Sequence, residues 1–328
     1  MSTSFEQADC ILVFGAKDHI GAEVVKYIHQ KQPHVKIKVA THDANNLALL
    51  EAMFPFAHAV HADLLDYESL SAALDGVEGV FQVSPDVFNE DLLVKNMKNA
   101  SKHAGTVKHI IRILGTPPGV SMDLIPEKLK KYRHYPAMQH LLATQLYRDA
   151  ELPVTFINVA GYYMDDFSRM FSPSIIERKA IEIAFDKRLA WVDPIDVAQV
   201  SAELLINPRN EYVGKVIDVT GPDLMTFAEV AKLFSRVWKE EITYNGDEAV
   251  FLNSITPVFS KLWGEEAPAY FMEYFKWETE HASLFKITDH VENILGRSPI
   301  AFEEWAVKNA DFFTQAWQAK KSAPLVQS

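Results

Sequence analysis

Cys10-Ile-Leu-Val-Phe14, running straight into Gly15-Ala-Lys-Asp-His-Ile-Gly21, is the stretch on which the fold turns. Five apolar residues suited to a buried strand meet a glycine, and a second glycine stands at the head of a helical pattern, Ile20 to Gln30. Strand, tight glycine turn and helix in that order open a βαβ unit, so a parallel sheet is expected.

The pattern repeats outward from that turn. Val35 to Ala40 alternates as a second strand, Ala57 to Ala62 reads as a third, Gly79 to Val83 as a fourth and Val107 to Leu114 as a fifth. Helical segments separate them: Ala44 to Ala52, Tyr67 to Leu74 capped by Asp66, and Asp86 to Ala104. Pro117-Pro118-Gly119 opens an irregular stretch, after which Pro136 to Ala150 reads as a helix and Val154 to Val159 as a sixth strand. Beyond it, segments 187–192 and 215–219 read as strands. Asp193 caps a helix from Pro194, and Thr226-Phe-Ala-Glu229 is a capping box. From about Asn245 the chain is aromatic-rich and mostly helical. The expected fold class is α/β, a Rossmann-type doubly wound parallel sheet with a smaller, mostly helical C-terminal substrate subdomain. Residues 1–160 are expected to hold the nucleotide-binding core, and residues 161–328 the late sheet elements interleaved with the substrate-covering part.

Composition narrows the function. The 328 residues carry a formal net charge of -12, which argues against nucleic acid or an anionic membrane as partner, since both demand a basic face. Cys10 is the single cysteine, so no internal disulfide can form. The first residues lack a basic region followed by an apolar stretch, and no apolar run approaches the ~20 residues that span a bilayer. A soluble, cytoplasmic protein acting on a small molecule is expected, with its oligomeric state open.

A three-glycine dinucleotide turn reads G-x-x-G-x-x-G: one glycine for the tight turn, one for close approach of the pyrophosphate, one for helix–strand packing. Gly15 and Gly21 hold the outer positions, but the middle one is Asp18. A carboxylate there meets an anion at a helix N-terminus; at ~4 Å two such charges repel by about 4 kcal/mol before screening. Lys17 and His19 flank it and can offset part of that cost, Ile20 completes the turn, and Asp18 can alternatively serve as a helix cap.

The order of landmarks resembles the NmrA-like atypical short-chain dehydrogenases over nearly the whole chain. The segments that carry the likeness are Gly15 to Gly21, Ala62 to Asp66, Val77 to Val83, Val107 to Ile111, Glu151 to Ile157, Gly161 to Met164, Asp193 to Ala198 and Thr220 to Pro222. The resemblance implies that Asp63 and Leu64 border an adenine site and that Val83, Ser84, Leu114 and Gly115 line the nicotinamide side. It also puts His42 where the family's NADP users commonly hold the 2′-phosphate with an arginine. With no acidic residue directly ending that strand, NADP is favoured over NAD as cofactor, and a scaffold without cofactor is the alternative.

The tyrosine and lysine that short-chain dehydrogenases usually use are absent: the lysine position falls on His140 and the tyrosine position on Pro136. Tyr135, His134 and His140 are the candidate proton carriers, with a surface turn as the alternative role for the first two. Tyr162, Tyr163, Met164 and Phe167 follow the sixth strand, at the sheet edge where open α/β proteins bind ligands, and are the substrate candidates. The histidines show no metal-ligand spacing, so no metal is expected. Three functions remain. The first is an NAD(P)H-dependent oxidoreductase of a small apolar, aromatic or quinone-like metabolite. The second is a cofactor-independent acid–base enzyme (isomerase, cyclase or lyase), and the third a non-catalytic dinucleotide-sensing regulator.

Overall fold

The computed structural model describes residues 8–83 and 89–322, so Ser84 and the expected helix start at Asp86 lie outside the described residues. β1 (Cys10–Val13) leads through the glycine turn into α1 (His19–Lys31). β2 (Lys36–Thr41), α2 (Leu47–Met53), β3 (His58–His61) and α3 (Tyr67–Ala73) continue the alternation. Then come β4 (Gly79–Gln82), α4 (Glu90–Ala104), β5 (His109–Leu114), the single turn α5 (Glu127–Lys130), α6 (Pro136–Asp149) and β6 (Val154–Val159). Short elements follow: β7 (Tyr162–Tyr163), α7 (Ser172–Arg178), β8 (Ala180–Glu182) and β9 (Leu189–Val192). The chain continues through α8 (Pro194–Ile206), β10 (Val216–Val219), β11 (Leu224–Met225), α9 (Phe227–Trp238) and β12 (Thr243–Asn245). It ends in helices α10 (Glu248–Trp263), α11 (Ala267–Glu280), α12 (His290–Leu295), α13 (Phe302–Lys308) and α14 (Ala310–Ser322).

Two compact units emerge. The first comprises the chain up to Ala160, Pro194–Val219 and Asp289–Arg297; the second comprises Gly161–Asp193, Thr220–Thr288 and Ser298 onward. The first unit holds a seven-stranded parallel sheet in the order β10-β6-β5-β4-β1-β2-β3. Strand order therefore reverses between β1 and β4, and a doubly wound sheet opens its ligand crevice at the carboxyl ends of the strands there. All six residues of β5 and all six of β6 are buried, as central parallel strands with helices on both faces require. One face is covered by α3, α4 and α6, whose Leu70, Leu93, Met97 and Tyr147 join Leu12, Val80 and Phe156 in one core. α1 and α8 pack together, and α8 lies against β4 and β5.

The second unit is built on aromatic rings. Phe167 meets Phe171, Trp191, Phe234 and Phe302 at centroid distances of 5.1 to 5.9 Å, and Phe234 stacks on Trp238 at 3.9 Å. Such rings are worth ~0.5–1.5 kcal/mol per pair beyond their burial. Its strands form two small sheets, β11-β9-β7 and β12-β8. Among the described residues no helix is long and apolar enough to cross a membrane.

Candidate functional site

The turn after β1 is tight and is shaped by its two outer glycines. Gly15 adopts φ +68°, and a Cβ on it would lie 2.3 Å from Val83 Cγ1 at the end of β4. A Cβ on Gly21 would lie 2.2 Å from the Gly15 carbonyl oxygen, so only glycine lets α1 approach the turn. Both outer glycines are thus demanded by space, and Val83 is brought onto the turn. Ile20, in the first turn of α1, is buried, His19 is half-buried and Lys17 is exposed.

Asp18 is the N-cap residue of α1 by backbone conformation, yet its side chain makes no capping hydrogen bond. Its backbone N–H donates to the Gly15 carbonyl at 2.9 Å and its own carbonyl accepts from Ala22 N–H at 2.9 Å. The exposed carboxylate turns back over the glycine turn, with Oδ2 3.8 Å from where a Gly15 Cβ would stand.

The remaining adenosine-side candidates sit at the carboxyl ends of neighbouring strands. Exposed His42 follows β2, and its carbonyl lies 3.1 Å from His61 Nε2. Asp63 follows β3 and spends its Oδ1 on Leu65 N–H at 2.8 Å, while Leu64 is buried and its carbonyl accepts from Asn96 Nδ2. These residues share one sheet edge with Gly15, Val83 and Leu114 because the sheet is parallel and β3, β2, β1, β4 and β5 are consecutive.

Within β5 and at the head of α4 the structure adds residues the motifs did not single out. Arg112, in the middle of a buried strand, is 1 % exposed and pairs with Glu90 at 3.1 Å, itself 1 % exposed and the first residue of α4. Arg112 Nη1 also donates to the Ile113 carbonyl, and Glu90 N–H donates to Gln139 Oε1 of α6 at 3.0 Å. One ionic knot therefore ties β5, α4 and α6. A lone arginine in the run His109-Ile-Ile-Arg-Ile-Leu114 was the available signal, since a buried charge must find a partner.

The three proton-carrier candidates part company. His134 is exposed. Tyr135 is buried at the head of α6, its ring edge-on to Tyr132 at 5.6 Å. His140 is half-buried with Nε2 3.7 Å from where a Gly115 Cβ would stand; burial, then the Arg112 guanidinium, pushes its pKa down to about 3. It carries no proton charge at neutral pH. A cavity of about 540 Å³ opens beside these strand ends, lined by Leu114, Thr116, Met122, Leu141, Asn158 and Asp218 among others. That volume suits a small molecule. Asn158 holds its wall by bonding Thr116 and Asp218, and burial raises the Asp218 carboxyl.

Tyr162, Tyr163, Met164 and Phe167 lie in the second unit. Met164 and Phe167 have no exposed surface and belong to its core. Tyr162 is half-buried and donates to Glu278 Oε2 at 2.7 Å. Glu278 also pairs at 3.3 Å with Lys187, whose Nζ lies 4.7 Å from the Phe275 ring centre; burial lowers the lysine pKa. Neither charged residue was singled out from the sequence, where each stands in an ordinary polar context. Among the described residues no group of His, Cys, Asp and Glu could hold a metal ion.

Comparison with known proteins matches residues 7–284 to the NmrA-like family. The NAD(P)H azoreductase of Xenophilus azovorans is 26% identical over 307 residues, covering 93% of this chain and 100% of the relative. The nitrogen metabolite regulation-like protein bik4 of Gibberella fujikuroi is 25% identical, covering 90% and 94%. Among solved structures, the Escherichia coli NADPH-dependent quinone oxidoreductase QOR2 complexed with NADPH superposes with a TM-score of 0.71 at 20% identity, covering 91% and 99%.

Proposed function

The chain belongs to the NmrA-like family, and from that premise we propose that it is an NADPH-dependent oxidoreductase of a small aromatic or quinone-like molecule. The observation that carries this reading is the turn between β1 and α1: Gly15 and Gly21 sit where protein atoms leave no room for a Cβ, which closes the tight strand–helix turn at the switch point of the sheet. The relatives named for azoreductase and quinone oxidoreductase activities support the substrate class. When bound, the dinucleotide supplies the hydride. The chain's own residues hold and orient it: backbone N–H groups at the start of α1 for the pyrophosphate, His42 for the 2′ end of the ribose, Val83 and Leu114 beside the nicotinamide. His134, exposed before α6, is the candidate side chain that exchanges protons with water.

Asp18 favours a second reading, an acid–base enzyme that uses no dinucleotide, because its carboxylate lies over the same glycine turn. The relative named for nitrogen metabolite regulation keeps the regulator reading as a third. Calorimetric titration with NADPH and NADP separates them. Binding in the micromolar range is expected for the wild type, tightening at least tenfold in Asp18→Gly as the like charge is removed. Absence of binding at millimolar dinucleotide in both proteins sinks the oxidoreductase. If the wild type binds and Asp18→Gly changes nothing, the carboxylate is not an obstacle.

A further inference from the structure

The cavity of about 540 Å³ in the first unit lies on a side of α6 that the dinucleotide reading does not use. Leu141, Thr144, Gln145 and Arg148 line it, and their spacing of i, i+3, i+4 and i+7 makes one face of that helix. Pro136 and His140, at the usual tyrosine and lysine positions, continue at the same spacing into Ala143 and Tyr147, which are buried in the sheet core. That is another face. Across the sheet the cavity meets Asn158 of β6 and Val216 and Asp218 of the edge strand β10, whereas the glycine turn follows β1, beside β4. We infer that this cavity is a separate binding site for a small organic cation, an alkyl- or arylalkylammonium, with Asp218 as its counter-ion and Leu141 of α6 in its apolar wall.

Hydrogen-bond accounting singles out the aspartate. Asn158 Oδ1 accepts from the Thr116 N–H at 3.0 Å and from its hydroxyl at 3.3 Å. Asn158 Nδ2 donates to the Thr116 carbonyl at 3.0 Å and to Asp218 Oδ1 at 2.7 Å. A side-chain amide has two N–H groups and two lone pairs, so Asn158 is spent and serves to orient Asp218. Arg148 is the one cation among the described residues that line the cavity, and it is engaged elsewhere. Its Nη2 donates to the Gly214 carbonyl at 3.4 Å, and its guanidinium carbon lies 5.9 Å from the Phe156 ring centre. His290 of α12 spends its Nδ1–H on the Asp218 backbone carbonyl at 2.9 Å. Burial raises the Asp218 carboxyl, and the Asn158 N–H and then His290 offset this only in part. A guest ammonium supplies the missing positive charge together with its donors. An anionic guest would instead meet Asp218 and the exposed Asp123, which also lines the cavity. Leu114, Met122, Leu141 and Val216 give the cation's carbon body an apolar surface.

Calorimetric titration of the full-length protein at neutral pH with 2-phenylethylamine, 2-phenylethanol and 3-phenylpropanoate compares a cation, a neutral molecule and an anion on one apolar body. The amine is expected to bind in the submillimolar range, about tenfold or more tighter than the alcohol, and the anion not measurably. Asp218→Asn, whose amide oxygen can still accept from Asn158, should bring the amine down to the alcohol's affinity. Leu141→Trp should abolish binding of both by filling the cavity, and Thr144→Trp on the same face repeats the filling test should the first variant not fold. Saturation with NADPH should leave the amine's affinity unchanged, because the cavity lies off the glycine turn. Equal affinities for amine and alcohol, an amine affinity unmoved in Asp218→Asn or in the folded filling variants, or displacement of the amine by NADPH overturns the inference. So does the absence of amine binding at millimolar concentration. A protein that binds the amine but no NADPH loses the oxidoreductase reading and keeps the cation site.

Discussion

Asp166, in the turn that follows β7, has its carboxyl pushed up to about 7, first by burial and then by Asp165, against Arg169 and the Tyr163 N–H. Unfolded, an aspartate releases its proton near 3.8. Between these values the native state holds a proton that the unfolded chain has lost, so Asp166 subtracts stability as pH rises from about 4 through about 7 and no further above. Asp166→Asn cannot ionise. It should gain on the wild type between pH 5 and pH 8 by at most about 2 to 3 kcal/mol, a rise of several degrees in relative melting temperature. Equal differences at the two pH values would show that the carboxyl titrates normally. Asp18 is the opposite case, legible from its place between two glycines; Asp166 was invisible because nothing in Tyr-Tyr-Met-Asp-Asp-Phe announces which carboxyl will lose its water.

Helices with caps written into the sequence were the readable elements. At the head of α9, Thr226 accepts from Glu229 N–H at 3.2 Å and Glu229 accepts from Thr226 N–H at 2.9 Å, closing the box expected from Thr-Phe-Ala-Glu. Thr226→Ala should cost about 1 kcal/mol in urea denaturation, with Thr226→Ser retaining most of the stability; a loss within error means the Arg188–Glu229 pair at 2.6 Å fixes that end by itself. The strands β7, β8, β11 and β12, each of two or three residues, have too few residues to show a period. Their existence depends on a partner: β9 for β7 and β11, β8 for β12.

Across the molecule, the charges that matter are buried pairs. Lys187 and Glu278 meet 91 positions apart in sequence, with side chains 0% and 4% exposed. Glu278→Gln leaves the ammonium among aromatic rings and should cost about 3–5 kcal/mol in chemical denaturation, whereas Lys187→Met with Glu278→Gln should recover most of it. A double variant as unstable as the single would mean that packing, not charge, is lost. The same scale explains what could be read in advance. Local pattern alone was enough for the parallel sheet, its glycine turn and the capped helices, because strand period, φ > 0 and N–H satisfaction are demands met within a few residues. The Arg112–Glu90 knot, the His140 Nδ1 without a hydrogen-bond partner among the described residues, the desolvated carboxyl of half-buried Asp166 and the two discontinuous units of the chain came into view only once distant segments were packed together. Desolvation and long-range pairing depend on which distant segments exclude water from a group, and no local pattern encodes that.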